Sequence, residues 1–401
     1  MKSLKELFKI GKGPSSSHTM GPQKAATIFS KKNPHAARFE VTLYGSLAAT
    51  GKGHMTDAAI EDILRPHAPV DIFWEPTVFL PFHPNGMKFV AYDKEDQQTD
   101  EWVVYSVGGG ALSEGKDDSK TLATPDIYDL HTLKDVMKWC YDNGCAYWEY
   151  VDRCEDSDIW DYLMTVWETM KASVERGLGH EGVLPGPLHL PRKAAIYHVK
   201  AKGYKASLQS RGLVYAYALA VSEENASGGT IVTAPTCGSS GVLPAVLYHL
   251  STAHGFSDLR ILHALATAGL IGNIVKTNAS IAGADVGCQG EVGVACAMAS
   301  AAACQLVGGS PAQIEYAAEM GLEHHLGMTC DPVCGMVQIP CIERNAFAAA
   351  RALDSNLYAA FSDGQHNVSF DRVVNVMKQT GHDLPSLYKE TGEGGLAKIH
   401  H

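Results

Sequence analysis

The strongest constraint on the fold is a change of periodicity part-way along the chain. Between residues 39 and 107 apolar residues tend to recur at every second position, as with Phe39, Val41 and Leu43 against Glu40 and Thr42. Such alternation marks strands that bury one face. The spans 39–47, 70–82, 87–92 and 102–107 read as strands, and Pro84-Asn85-Gly86 reads as a hairpin turn joining the middle pair. From residue 133 onward a helical period takes over. The spans 133–143, 159–176, 212–224, 242–252, 258–271, 291–306, 311–324, 342–353 and 370–379 read as helices separated by Gly and Pro clusters. The expected fold class is an α+β N-terminal domain with a mostly antiparallel sheet, followed by an all-α C-terminal domain. The boundary falls in the interval 113–157, which opens with a polar passage at 113–126, giving domains 1–130 and 131–401. A chain of 401 residues suits two domains.

Within the helical half, residues 283–345 are broken by Gly and Pro and carry clustered cysteines. Cys288 lies between Gly287 and Gly290, Cys330 precedes Asp331-Pro332, and Cys341 follows Pro340. These residues break helices and re-aim the chain. An iron–sulfur cluster wants such backbone, because loops can wrap it and point N–H groups at its sulfurs. The spacing of Cys330, Cys334 and Cys341 matches no zinc or ferredoxin pattern and leaves metal binding and buried thiols as alternatives. The Gly/Pro context and Cys288 favour a cluster. Cys296 and Cys304 fall in an Ala-rich run and read as small hydrophobes.

Two loops share another pattern. Ser15-Ser16-Ser17-His18-Thr19 precedes a helix with Pro22 in its first turn, and Thr236-Cys237-Gly238-Ser239-Ser240 precedes a helix near 242. Hydroxyls, glycines and free N–H groups at a helix start make an anion cradle, and equally an ordinary capped loop. Cys237 is either a pocket thiol or packing. Lys276 and Asn278 lead toward Cys288 and offer polar contacts. Two histidines stand out as proton carriers, His18 in its serine loop and His54 after Gly53. His324 and His325 sit at a helix end and suit its dipole. Arg344 either balances the charge of a cluster or stabilises its own helix.

A net charge of −11 argues against nucleic acid as a partner. No apolar run approaches the roughly 20 residues of a membrane span, so a cytoplasmic protein with reduced thiols is expected. Its ten cysteines then suggest metal, catalysis or packing.

The motifs GCQGEVGVAC, MTCDPVCG and QIPCIERNA, with GPSSSHTMGP near the N-terminus, resemble the bacterial iron–sulfur L-serine dehydratases over nearly the whole chain. The resemblance implies conversion of L-serine to pyruvate and ammonia. It implies a [4Fe–4S] cluster held by Cys288, Cys330 and Cys341, with one iron not bound by cysteine acting as a Lewis acid on the substrate. Cys334 stands outside the pattern. The loops carrying His18 and His54 would face the cluster, and one of these histidines would be the base. Ser15, Ser16, Ser17, Thr19, Thr236, Cys237, Gly238, Ser239, Ser240, Lys276 and Asn278 would contact substrate. Family members often end in a cysteine that reaches the open iron. This chain has no cysteine after Cys341 and ends in His400-His401, so one of these histidines replaces that thiolate or the terminus frays. A homodimer is expected from the prevalence of two-fold assemblies. Two rival readings stay open. A pyridoxal-phosphate-dependent deaminase needs a Schiff-base lysine and an alternating βα pattern, and a non-catalytic redox or oxygen sensor needs only the cluster.

Overall fold

Strand β2 (Arg38–Tyr44) shows how the first third is built. Its alternation sends Phe39, Val41 and Leu43 inward, where all are fully buried. The computed structural model describes residues 1–115 and 124–400, the side chains at 207, 399 and 400 excepted. Part of the polar passage expected at 113–126 therefore lies outside the described residues. The helices Gly21–Lys32 and Thr56–Leu64 cover the buried face of the sheet with Ala25, Phe29, Ile60 and Leu64. Burying one such large side chain contributes about 2–3 kcal/mol.

Around β2 stand β3 (Val70–Glu75), β4 (Gly86–Tyr92), β5 (Gln98–Ser106) and β6 (Leu112–Ser113), in the order β3-β2-β4-β5-β6. All pairings are antiparallel except β2 with β3, which run parallel. The expected hairpin at residues 84–86 does not form, because β2 lies between β3 and β4. Asn85 is instead tied elsewhere. Its backbone N–H donates to His83 Nδ1 at 3.1 Å and its side-chain amide to the Ser106 carbonyl at 3.3 Å. The strand expected over 39–47 also ends early, at Tyr44, and the chain turns into the helix Gly45–Thr50.

Beyond residue 130 the structure is largely helical. Each helix read from the sequence is present, several extended by a turn or more, and three shorter ones among the described residues, Tyr147–Cys154, Ala194–Lys202 and Gly283–Val286, join them. At the centre lie Asp258–Asn278 and the Ala-rich Val292–Leu306, whose small side chains let neighbours approach closely. Cys296 and Cys304 are fully buried there. The helix Asp258–Asn278 is, against the sequence reading, long and apolar enough to cross a membrane, but 78% of its apolar window is buried inside the protein. It is a core helix. Gly269 and Gly272 on it leave a groove for Leu4, Leu7 and Phe8, so a side chain on Gly269 would come within 2.7 Å of Leu4. The first residues of the chain thus complete the helical core. β1 (Ile10–Lys12) continues this attachment by pairing antiparallel with β7 (Thr230–Val232).

Candidate active site

Three separate segments bring thiols together. Gly287, at φ 72°, ends the short helix Gly283–Val286 and turns the chain into the buried Cys288. A side chain at Gly287 would meet the Met328 carbonyl at 2.6 Å, and its φ suits glycine alone. Cys330 lies in the loop after the helix Pro311–Glu323, and Cys341 opens the helix Cys341–Ala360. The Cys288 and Cys330 thiols and Glu291 place ligand atoms within 4.8 Å of one another. The neighbouring Cys330 thiol holds the Cys288 thiol below its ordinary value against the opposing effect of burial. Burial pushes the Cys341 thiol up, and the charge at Cys288 adds to this. Arg344 donates to the Thr329 carbonyl at 2.7 Å and to Asp331 at 3.3 Å, and lies close enough to Cys288 and Cys341 for their charges to act on it. Glu343 turns away to Lys193 at 2.8 Å.

The opposite wall comes from the N-terminal region. Ser15 caps the turn that carries His18, accepting from the His18 N–H at 3.1 Å. His18 is held at both ring nitrogens, Nδ1 by Ser17 Oγ at 2.9 Å and Nε2 by Ser46 Oγ at 3.2 Å. His54 lies beside it, with ring centroids 4.5 Å apart. The two loops are stitched together. Thr19 donates to the His54 carbonyl at 2.7 Å and Thr56 to the His18 carbonyl at 2.6 Å. Unlike His18, His54 is buried with neither ring nitrogen hydrogen-bonded. Burial, then the neighbouring His18, holds the His54 imidazole well below its ordinary value, and burial holds His18 at about 4. The loop before His54 rests on the cysteine segment, since a side chain on Gly53 would meet the Gly335 carbonyl at 3.0 Å.

A third wall was not foreseen. The C-terminal tail runs beside Cys330. The Cys330 N–H donates to the Tyr388 carbonyl and the Glu390 N–H to the Cys330 carbonyl, both at 2.8 Å. This buries Glu390, whose carboxylate comes within 3.7 Å of His18 Nδ1. Glu291 receives a hydrogen bond from Thr236 Oγ1 at 2.8 Å. Burial pushes both carboxyls up to about 8, with Glu390 adding to the effect on Glu291 and Cys288 to that on Glu390.

The remaining residues singled out in the sequence divide. Ser15, Ser16 and Thr19 are buried around the histidines, and Thr236, Ser239 and Ser240 form a buried loop in which the Ser240 hydroxyl has no partner. Gly238 faces Glu291, for a side chain there would come within 3.3 Å of its Oε1. Asn345 ties this loop to the Cys341 helix by bonds to the Gly238 and Cys341 carbonyls at 2.7 and 2.8 Å. Cys237 packs its sulfur on Met20 at 3.3 Å. Lys276 and Asn278 are not brought to the thiols. The Lys276 ammonium donates to the Glu6 carbonyl at 2.8 Å and Asn278 to the His131 carbonyl at 2.7 Å. Cys334 is exposed on left-handed backbone, at φ 54°. The His400 side chain and His401 lie outside what is described.

Comparison with known proteins identifies the architecture. Residues 3–72 match the serine dehydratase beta chain family and residues 85–397 the serine dehydratase alpha chain family. An L-serine dehydratase of Streptomyces coelicolor is 40% identical, the match covering 98% of each chain. L-serine dehydratase 1 of Escherichia coli is also 40% identical and that of Haemophilus influenzae 39%, each match covering 99% of both chains. The chain belongs to the L-serine dehydratase family. In this family member both matched parts reside in one polypeptide, and Glu390 of the alpha-type part links them, within 3.7 Å of His18 of the beta-type part and close enough to Cys288 for the charge there to act on it.

Of the residues found here, Glu291 had a signal, since it lies in the GCQGE motif beside Cys288. Glu390 had none, because its neighbours Thr391, Gly392, Gly394 and Gly395 read as a solvated tail.

Proposed function

We propose that the protein converts L-serine to pyruvate and ammonia at a [4Fe–4S] cluster held by Cys288, Cys330 and Cys341, with one iron free of cysteine. The observation that carries this reading is the convergence of Cys288 and Cys330, with Cys341 close enough to feel the charge at Cys288, on a buried Glu390 that also groups with His18 and with His54, an imidazole without a hydrogen-bond partner. The donor set fits a cluster. Soft thiolates come from irregular segments, an arginine offsets their charge, and Gly283 leaves room beside them, since a side chain there would lie 3.1 Å from the Cys330 sulfur. Cys334 is exposed and Cys237 packs on Met20, so neither supplies a fourth thiolate from this geometry. When bound, the cluster supplies a Lewis acid that makes hydroxide a better leaving group, an effect of several kcal/mol.

The chain's own residues do the rest. His54, kept neutral by burial, takes the α-proton at a ring nitrogen. His18, clamped by Ser17 and Ser46, keeps that imidazole in place. The Thr236–Ser240 loop offers hydroxyls and N–H groups to the substrate's polar ends, and the Glu291 and Glu390 carboxyls offer acceptor oxygens to its amino group. Loss of water leaves an enamine, which becomes pyruvate and ammonia in water. A sensor would have no use for a free base in its pocket, and the largely helical second region lacks the alternating pattern of the pyridoxal rival. The test is turnover by protein purified without oxygen. Pyruvate and ammonia are expected in equal amounts from L-serine, with no pyridoxal absorbance. Activity accompanied by that absorbance and no iron would replace this reading with the pyridoxal one.

A further inference from the structure

A second cavity, of about 460 Å³, lies between the two regions of the chain and away from the thiols. Lys2, Lys24 and Lys276 line it, with Thr277 and Ser280 beside them. Lys9 stands close enough for its charge to act on Lys276. Carboxylates also reach this cavity, but each is engaged. Glu6 pairs with Lys9 at 3.2 Å, Asp126 faces the N-terminal ammonium at 3.7 Å, and Asp285 accepts from Ser280 at 2.9 Å and faces His83 at 3.9 Å. Among the described residues no carboxylate pairs with Lys2, Lys24 or Lys276. Glu6 acts on Lys24 and Lys276 without pairing with either, lysines gathered around a partly enclosed space repel one another, and a bound anion relieves that repulsion. Burial first, and then Lys9, lowers Lys276 to about 8, with Glu6 acting the other way.

We propose that this cavity binds a small organic or phosphorylated anion, gripped by Lys2, Lys24 and Lys276. The site joins elements of both regions. Lys24 comes from the helix Gly21–Lys32, and Lys276 from the last turn of Asp258–Asn278. The segment that follows, lined here at Ser280 and Ile281, runs on to Cys288. It rests against the turn after β5, where a side chain on Gly108 would come within 3.0 Å of Ala282. An anion here therefore braces the junction that positions Cys288 without touching the thiols.

The test is calorimetric titration of the oxygen-protected full chain with inorganic phosphate and, separately, with malonate at constant ionic strength. Saturable binding of at least one is expected. A preference for phosphate assigns a phosphorylated ligand, and a preference for malonate a carboxylate. The double variant Lys2→Ala/Lys24→Ala changes residues outside the active site. It should weaken binding at least tenfold while its melting temperature without anion stays within a few degrees of the parent. No saturable binding of either anion, or equal binding by the double variant, overturns the proposal.

Discussion

Replacing His54 with glutamine lowers kcat for L-serine by about 10³-fold while iron content and melting temperature stay near those of the parent. Glutamine keeps much of the volume of the ring and cannot accept the α-proton. The size of the effect follows from the usual contribution of a positioned base, and the choice of residue follows from hydrogen bonding. His54 has both ring nitrogens free in a buried pocket, whereas both nitrogens of His18 are engaged by Ser17 and Ser46. The pH profile gives a second readout. A base must be neutral to act, so activity falls only as pH drops through its pKa in the folded enzyme. Burial and the adjacent His18 hold that value well below the ordinary 6.5. The acid limb of kcat/KM should accordingly lie below pH 6.5. Full activity in His54→Gln, or an acid limb unchanged in the residual activity, would move the proton transfer to another group.

Cys288→Ala, Cys330→Ala and Cys341→Ala should each abolish bound iron and activity together. Each removes one thiolate from a centre that has no spare among its neighbours. Cys288 and Cys330 are buried and Cys341 opens its helix against Asn345, so the loss falls on the centre itself. Cys334→Ala should leave both iron and turnover near the parent level, because that side chain is exposed, on left-handed backbone. Iron content, measured beside the far-ultraviolet dichroism of each variant, separates loss of the centre from loss of the fold. Full iron retained in any of the first set reassigns that ligand.

What could be read from the sequence was whatever leaves a periodic or chemical trace. Phe39, Val41 and Leu43 announced their strand because one face of the sheet is buried and the other is not. The position of β3 left no such trace. Pro84-Asn85-Gly86 has the composition of a hairpin turn, yet its polar groups are spent on His83 and Ser106, and the pairing partner of β4 is chosen by tertiary packing. The burial of Leu4, Leu7 and Phe8 left no trace either, because their binding groove, shaped by Gly269 and Gly272, is supplied from far along the chain. The helix Ala194–Lys202 escaped notice because Ile196, Tyr197 and Val199 are exposed on it, which blurs the one-sided pattern. At the site, Cys288, Cys330 and Cys341 were legible through the Gly and Pro residues that bend their backbones. Lys276 and Asn278 were misleading by proximity, for the helix that carries them directs both side chains toward the N-terminal segment and His131. Glu390 was hidden because burial by a returning tail depends on the Cys330 and Tyr388 backbone bonds, which no local composition reveals.

The central claim is a thiolate-held iron–sulfur centre with one iron left for substrate. Iron and acid-labile sulfide, measured on a single oxygen-protected preparation that turns over L-serine, test it most directly. About four of each per chain are expected, with activity proportional to iron across preparations. Full turnover by protein containing no iron would contradict the account.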